Sequence, residues 1–476
     1  MIRIYILLFA VITILSSCKM GQNYVRPKYP AQDTFLQPNN DTTTYADMPW
    51  KNVYTDTLLI KLIDTALINN QDLNIATERV REYMALRRMA VSDLYPSIGV
   101  GLEHKGTSDK NNSGYRTYND QFEANATISW EIDLWGKLRR QKESATADMI
   151  GIVENRRAVE MFLVSQVAQK YFEIVALNSK LNIVKQTIDA RKEAVRIALL
   201  RFRGGLTSEI AYSQAEVELA ETQVLMPTVE QDIVINNNEL AFLLGAQPSQ
   251  LVMGSKLETN GLPDYIPTGL SSTLINRRPD IRESEQDLIA ANANVGIAKA
   301  EFFPSLKLTG SLDFTGSDFL NFFATPVWGH AANLLTPVFQ YGKNKGRFEA
   351  AKSIREQKVL AYQKSILNGL REVSDGVTRF QKAKIIRKLN EELEVSARSY
   401  LKLANLQYIN GVIAYIDVLD AQRKLFEAEI DLNTSIRNEY LSLVSLYKAL
   451  GGGWSVEVLT EKTKKNKKPK QHTPKA

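Results

Sequence analysis

The sequence has one cysteine, Cys18, and three histidines in 476 residues. A lone cysteine excludes a disulfide within one chain and a thiolate metal cage. His104, His330 and His472 are expected in a loop, a strand and the C-terminal tail, so they share no ligand spacing. Gly99-Val100-Gly101 lacks the third glycine of a dinucleotide-binding turn. No catalytic constellation emerges, and no cofactor is expected. Proline is missing between Pro96 and Pro227 and again between Pro337 and Pro469, and glycine is sparse inside both stretches. Ordinary globular domains punctuate their chains more often, because their helices average about 11 to 12 residues.

A second scarcity concerns charge. The formal net charge is +6, but seven lysines and no acid lie between Lys462 and Lys475. Taking those and Arg3 from the 59 basic residues leaves 51, against 52 acidic residues once Glu461 is set aside. The body is therefore near neutral, which leaves a nucleic-acid groove unsupported. The basic end, 456–476, is expected to be a disordered tail, solvated or touching anionic lipid.

At the other end, the apolar run from Ile4 to Leu15 falls short of the about 20 residues that span a bilayer. With Arg3 before it, 1–17 reads as a secretory signal peptide. Leu15-Ser16-Ser17-Cys18 resembles the bacterial lipobox, which makes Cys18 the expected lipidation site.

What is present is length and repetition. Lys137 to Phe202 reads as one helix of about 99 Å at about 1.5 Å per residue. Ile174, Leu177, Leu181, Val184, Ile188, Val195 and Ala198 step by threes and fours along it, with Arg191 interrupting, as in a coiled-coil seam. A second long helix is expected from Lys343 to about Gln407. After each comes a short turn, Arg203 to Thr207 and Ile409 to Ile413, and a returning helix, Ser208 to Leu244 and Tyr415 to Leu450. Gly205 and Gly411 lie 206 residues apart, as do Gly136 and Gly342, and Ala215 and Ala421. Tyr95-Pro96-Ser97 matches Phe303-Pro304-Ser305 at an offset of 208. Each half should run helix, strand, turn, strand, long helix, turn, returning helix.

The strands show strict alternation. Phe122, Ala124, Ala126, Ile128, Trp130 and Ile132 interleave with Glu123, Asn125, Thr127, Ser129, Glu131 and Asp133. Leu306, Leu308, Leu312 and Phe314 do the same in the second half. One apolar and one polar face suit a membrane barrel with lipid outside and water inside. About four strands are expected, from Ser97, Gln121, Ser305 and Val327 to Phe339, with His104 to Asp120 and Thr315 to Thr325 as exposed loops. Four strands cannot close a barrel, and an open edge in lipid leaves backbone groups unsatisfied at several kcal/mol each. The subunit must oligomerise. A coiled-coil lipoprotein tethering envelope layers would share the helices, but not the alternating strands.

Arg277-Arg278-Pro279-Asp280-Ile281 and Ala298-Lys299-Ala300-Glu301-Phe302-Phe303-Pro304-Ser305 resemble the signature of the TolC-like outer-membrane factor family, in its lipoprotein branch. Trp130 to Gly136 and Tyr447 to Trp454 resemble its other hallmarks. The resemblance implies a trimer, with a twelve-stranded β-barrel continued by a twelve-helix α-barrel. It implies a signal peptide over 1–17, a lipidated segment of the equatorial region over 18–55, and efflux repeats over 56–260 and 261–455. It also implies an outer-membrane location, a periplasmic adaptor and an inner-membrane pump of the resistance-nodulation-division type. The cargo would be drugs or other small toxic molecules; the same architecture also serves protein secretion. Tyr408, Asp417 and Asp420 match the family's periplasmic gate, where two carboxylates three residues apart share a helical face. Ile413 stands where a gate arginine can occur, and Ala211 and Gln214 replace the two acids in the first half. Gly205, Leu206, Thr207 and Ser208, with Gly411, Val412 and Ile413, match its adaptor-contacting tips.

Overall fold

The computed structural model describes residues 19–27, 44–110, 116–249, 257, 263, 266–267, 271–319, 321–337 and 339–454. Cys18, the expected signal peptide and the basic tail lie outside these residues. A single helical turn, Trp50–Val53, precedes α1 (Thr57–Asn69) and α2 (Gln71–Ser92). Strands β1 (Ser97–Lys110) and β2 (Arg116–Ile132) lead into α3 (Lys137–Arg203) and α4 (Glu209–Leu243). The second half repeats this with α5 (Ser271–Arg277), α6 (Pro279–Ala300), β3 (Ser305–Gly316), β4 (Pro326–Leu335), α7 (Lys343–Ile409) and α8 (Tyr415–Ala449).

The two halves superimpose residue by residue in sequence. α3 and α7 each hold 67 residues and α4 and α8 each hold 35, all displaced by 206 positions. α2 and α6 each hold 22 residues, displaced by 208. Both long helices start after a left-handed glycine, Gly136 at φ 74° and Gly342 at φ 81°. A helix of 67 residues is about 100 Å long. Burial along α3 follows the expected seam: Ile174, Val184, Ile188 and Ala198 are buried, and so is Arg191.

The main apolar core lies part-way down the helices. Leu59, Ile63 and Ala66 of α1 pack against Leu163, Val167 and Ala168 of α3, with Leu240, Val444 and Tyr447 closing the layer. Each fully buried aliphatic side chain there contributes about 1.5 to 3 kcal/mol. No helix among the described residues is long and apolar enough to cross a membrane.

The strands form one antiparallel sheet in the order β1-β2-β3-β4. The register gathers the apolar residues on one face. Val100 faces Ala126, which faces Leu312, which faces Trp328; Glu103, Glu123 and Thr315 line up on the other. The apolar face is bare, with Ile98, Val100, Leu102 and Trp328 each 77 to 79 % exposed.

Three expectations about the sheet are corrected. His104 to Asp120 is mostly strand rather than loop, since pairing continues from His104 with Phe122 to Lys110 with Arg116. Apolar alternation ends near Leu102, but a ladder needs only backbone groups and persists where water covers both faces. Similarly, β3 runs on to Gly316, into the second expected loop. The fourth strand ends at Leu335 instead of Phe339, because Pro337 has no N–H to donate.

Candidate functional site at the hairpin tips

The two hairpin tips are built alike. Gly205 at φ 68° and Gly411 at φ 74° take the left-handed conformation that an L side chain resists. At the first tip, Gly205 N–H donates to Phe202 O (2.9 Å) and Leu206 N–H to Arg201 O (2.8 Å). Gly411 to Tyr408 (3.0 Å) and Val412 to Gln407 (2.9 Å) repeat the pattern. This pair of hydrogen bonds ends each long helix and turns the chain. The next residue projects outward: Leu206 is 72 % and Val412 70 % exposed. Thr207 and Ile413 are half-buried, Ser208 exposed.

Asp417 and Asp420 do share one face of α8, although each also has a local partner. Asp417 accepts from the backbone N–H of Ala414 at 3.1 Å and thereby caps its own helix. Asp420 accepts from the Tyr400 hydroxyl at 3.3 Å. Asp417 is exposed and Asp420 half-buried.

Tyr408, near the end of α7, is buried. Its ring lies 5.4 Å from that of Tyr415, and the Arg201 guanidinium sits over it at 4.5 Å. The stack joins the tip of the first repeat to the second, within a small cluster that includes Ala198, Ala215, Val418 and Leu419. The Tyr415 hydroxyl is buried without a hydrogen-bond partner. Burial, then the neighbouring Tyr408 and Glu218, push its pKa up to about 12.

Above the tips, Arg191 interrupts the seam for a visible reason. Its guanidinium pairs with Glu218 (2.9 Å) and donates to Thr222 Oγ1 (2.5 Å), both on α4. Arg423 of α8 approaches the same carboxylate at 3.7 Å. Burial lowers the Arg191 pKa despite that partner, so this ion pair ties three helices together at a desolvation cost.

Sequence reasoning missed a second cluster, at the junction of sheet and helices. The Arg140 side chain is wholly buried. It donates to the carbonyls of Met20 (2.9 Å), Gly21 (2.8 Å) and Gln22 (3.1 Å), and to Glu143 (2.8 Å). Arg26 clasps Glu285 through two 2.6 Å bonds. Residues 19–27 are thus strapped to α3 and α6. Arg140 sits in the basic run Lys137 to Lys142, where nothing marks it as the buried member.

The recognisable motifs turn out to be clamps. Arg278 caps the end of α8 by donating to Ala449 O (3.0 Å) and pairs with Asp280 (2.6 Å) and Glu372 (2.7 Å). Trp135 stacks on Phe303 at 4.7 Å and donates to Pro304 O at 2.7 Å. The Tyr447 hydroxyl donates to Met48 O at 2.7 Å.

The chain matches the family model described as outer membrane efflux protein over residues 62–246 and 270–452. It is 30% identical over 455 residues to the cation efflux system protein CusC of Escherichia coli, covering 94% of this chain and 98% of that one. The probable outer membrane lipoprotein SilC of Salmonella typhimurium is 30% identical over 473 residues, 95% of this chain and all of its own. The solvent efflux pump outer membrane protein SrpC of Pseudomonas putida is 31% identical over 455 residues, 93% and 97% of the two chains. Among solved structures, a CusC crystal structure aligns with a TM-score of 0.84 at 29% identity, over 92% of this chain and 100% of that one. The open-state MtrE channel of Neisseria gonorrhoeae aligns at 0.82 and 28% identity, over 92% and 98%.

Proposed function

We propose, from the premise that this chain belongs to the outer membrane efflux protein family, that three copies close a passive duct with a gate at its periplasmic end. The chain is an outer-membrane channel protein of an efflux system, and not an enzyme. One observation carries the step from chain to duct: a four-stranded sheet with a bare apolar face and two unpaired edges continues directly into two 67-residue helices. In lipid such edges must be paired, and copies of the same sheet supply the partners. Three copies give a twelve-stranded barrel over a twelve-helix tunnel.

Threefold symmetry stacks Asp417 and Asp420 as two carboxylate rings near the axis, which attract cations and resist anions. Tyr408 backs the rings, and with Ile413 in place of an arginine the tips are held shut by packing and by the Arg201, Tyr408 and Tyr415 stack. Docking of a periplasmic adaptor at Gly205, Leu206, Thr207 and Ser208, and at Gly411, Val412 and Ile413, opens the gate for an inner-membrane pump of the resistance-nodulation-division type. The exposed Leu206 and Val412 support that role. Cys18 carries a covalent lipid; in support, SilC is named a lipoprotein, and Met20 N–H donates to Trp135 O (3.0 Å), which brings the strap to the end of β2 where the sheet meets the helices.

The cargo is small and toxic rather than a secreted protein, in keeping with relatives named for cation, solvent and toluene efflux. A deletion strain tests this. It should become sensitive to such compounds with its secreted proteins unchanged; loss of a secreted protein alone would favour a secretion duct.

A further inference from the structure

The orphaned Tyr415 hydroxyl is one of three buried donors around a single cavity. Arg191 Nε and Arg201 Nε are likewise buried without a partner, and all three residues line a space of about 490 Å³ between α3 and the hairpin of α7 and α8. Tyr415 is 8 % and Arg191 5 % exposed. A buried donor costs free energy until an acceptor reaches it. Much of the remaining wall is apolar: Tyr408 and Phe426 supply rings, and Ile197, Leu401, Val418 and Leu425 supply aliphatic chains. Small-molecule sites have this make-up and run from about 300 to 1,000 Å³.

Charge selects the sign of the occupant. Arg191 is matched by Glu218. The two carboxylates on the cavity wall are matched as well, Glu193 by Arg196 (2.6 Å) and Glu429 by Arg398 (2.7 Å). Arg201 lies over the Tyr408 ring at 4.5 Å and has no ion pair among the described residues. The cavity is thus left with one unmatched positive charge, and its unpartnered buried atoms are all donors. Both walls belong to one chain, so no neighbouring copy is needed to complete it. The second repeat does not duplicate it, since Ala397 and Gln407 stand 206 positions after Arg191 and Arg201.

We propose that this cavity binds a small aromatic carboxylate, once per chain. Arg201 and Tyr415 both lie against Tyr408, at 4.5 Å and 5.4 Å, and together they donate to the carboxylate. The apolar body of the ligand extends toward Phe426, where Arg191 lies over the ring at 5.7 Å. Because α3 belongs to one hairpin and α7 and α8 to the other, an occupant bridges the two hairpins and holds the gate shut. That last consequence, unlike the binding itself, rests on the duct reading above.

The test uses the full-length protein in discs of phosphatidylcholine, dialysed to equilibrium with 2-naphthoate or its uncharged analogue 2-naphthamide, against discs without protein. Wild type should bind naphthoate and hold the amide on the order of tenfold more weakly. Arg201→Gln should weaken naphthoate binding by about tenfold, and Tyr415→Phe, which keeps the ring, by about fivefold. Lys192→Gln, which removes an exposed charge from the same helix outside the cavity, should change nothing. No binding by wild type, equal affinity for acid and amide, or an equal loss with Lys192→Gln would overturn the proposal. In planar bilayers naphthoate, but not the amide, should lower wild-type conductance. Binding that follows this pattern and leaves conductance unchanged would uphold the site and count against the gate.

Discussion

Arg140 Nη2 donates to the Gly21 carbonyl at 2.8 Å, across 119 residues of sequence. A buried guanidinium spread over successive backbone carbonyls holds an otherwise irregular strap, and the fit is tight: a Cβ on Gly21, at φ +83°, would stand 2.8 Å from the Gly296 Cα. Arg140→Ala would leave several carbonyls without donors, each costing about 1 to 3 kcal/mol. The strap should then be cut by protease well before the helices, while wild type resists. An unchanged digestion pattern would show that Arg26 and Glu285 hold the strap alone.

At the tips, the carboxylate rings should control conduction. Asp417→Ala with Asp420→Ala should raise single-channel conductance in planar bilayers and weaken block by multivalent cations. Because Asp417 also caps α8, the single change should cost about 0.5 to 2 kcal/mol of local stability. Unchanged conductance and unchanged block would reduce both acids to helix-start residues.

Tyr415 offers a change of opposite sign. Its hydroxyl is buried and unpartnered, so Tyr415→Phe removes an unsatisfied group while keeping the ring stack with Tyr408. Thermal unfolding should be unchanged or shifted up, by about 1 kcal/mol. The raised hydroxyl pKa predicts loss of stability in wild type as alkali takes pH from the usual tyrosine value toward 12, because the unfolded chain releases that proton first. Tyr415→Phe should blunt that loss. A clear destabilisation by Tyr415→Phe would mean that the hydroxyl has a partner in the assembled channel.

Much of this was legible in the sequence because it follows from periodicity. The missing prolines foretold α3 and α7 to within two residues at either end, and alternation placed Ala126 and Leu312 on one sheet face before the register did. Side-chain electrostatics were not legible. Arg191 was visible as an interruption, but its partners Glu218 and Thr222 come from a different helix. Arg140 looked like one of several basic residues, since burial depends on a strap more than a hundred positions away. Strand ends were misjudged where hydrogen bonding outlasts the apolar pattern, as between His104 and Lys110.

The account depends most on a sheet too small to close alone. Purified protein should therefore be weighed in detergent and the same sample fused with a planar bilayer. A mass of three chains together with discrete conducting steps is the result expected here; a monomer that leaves the bilayer silent would contradict it.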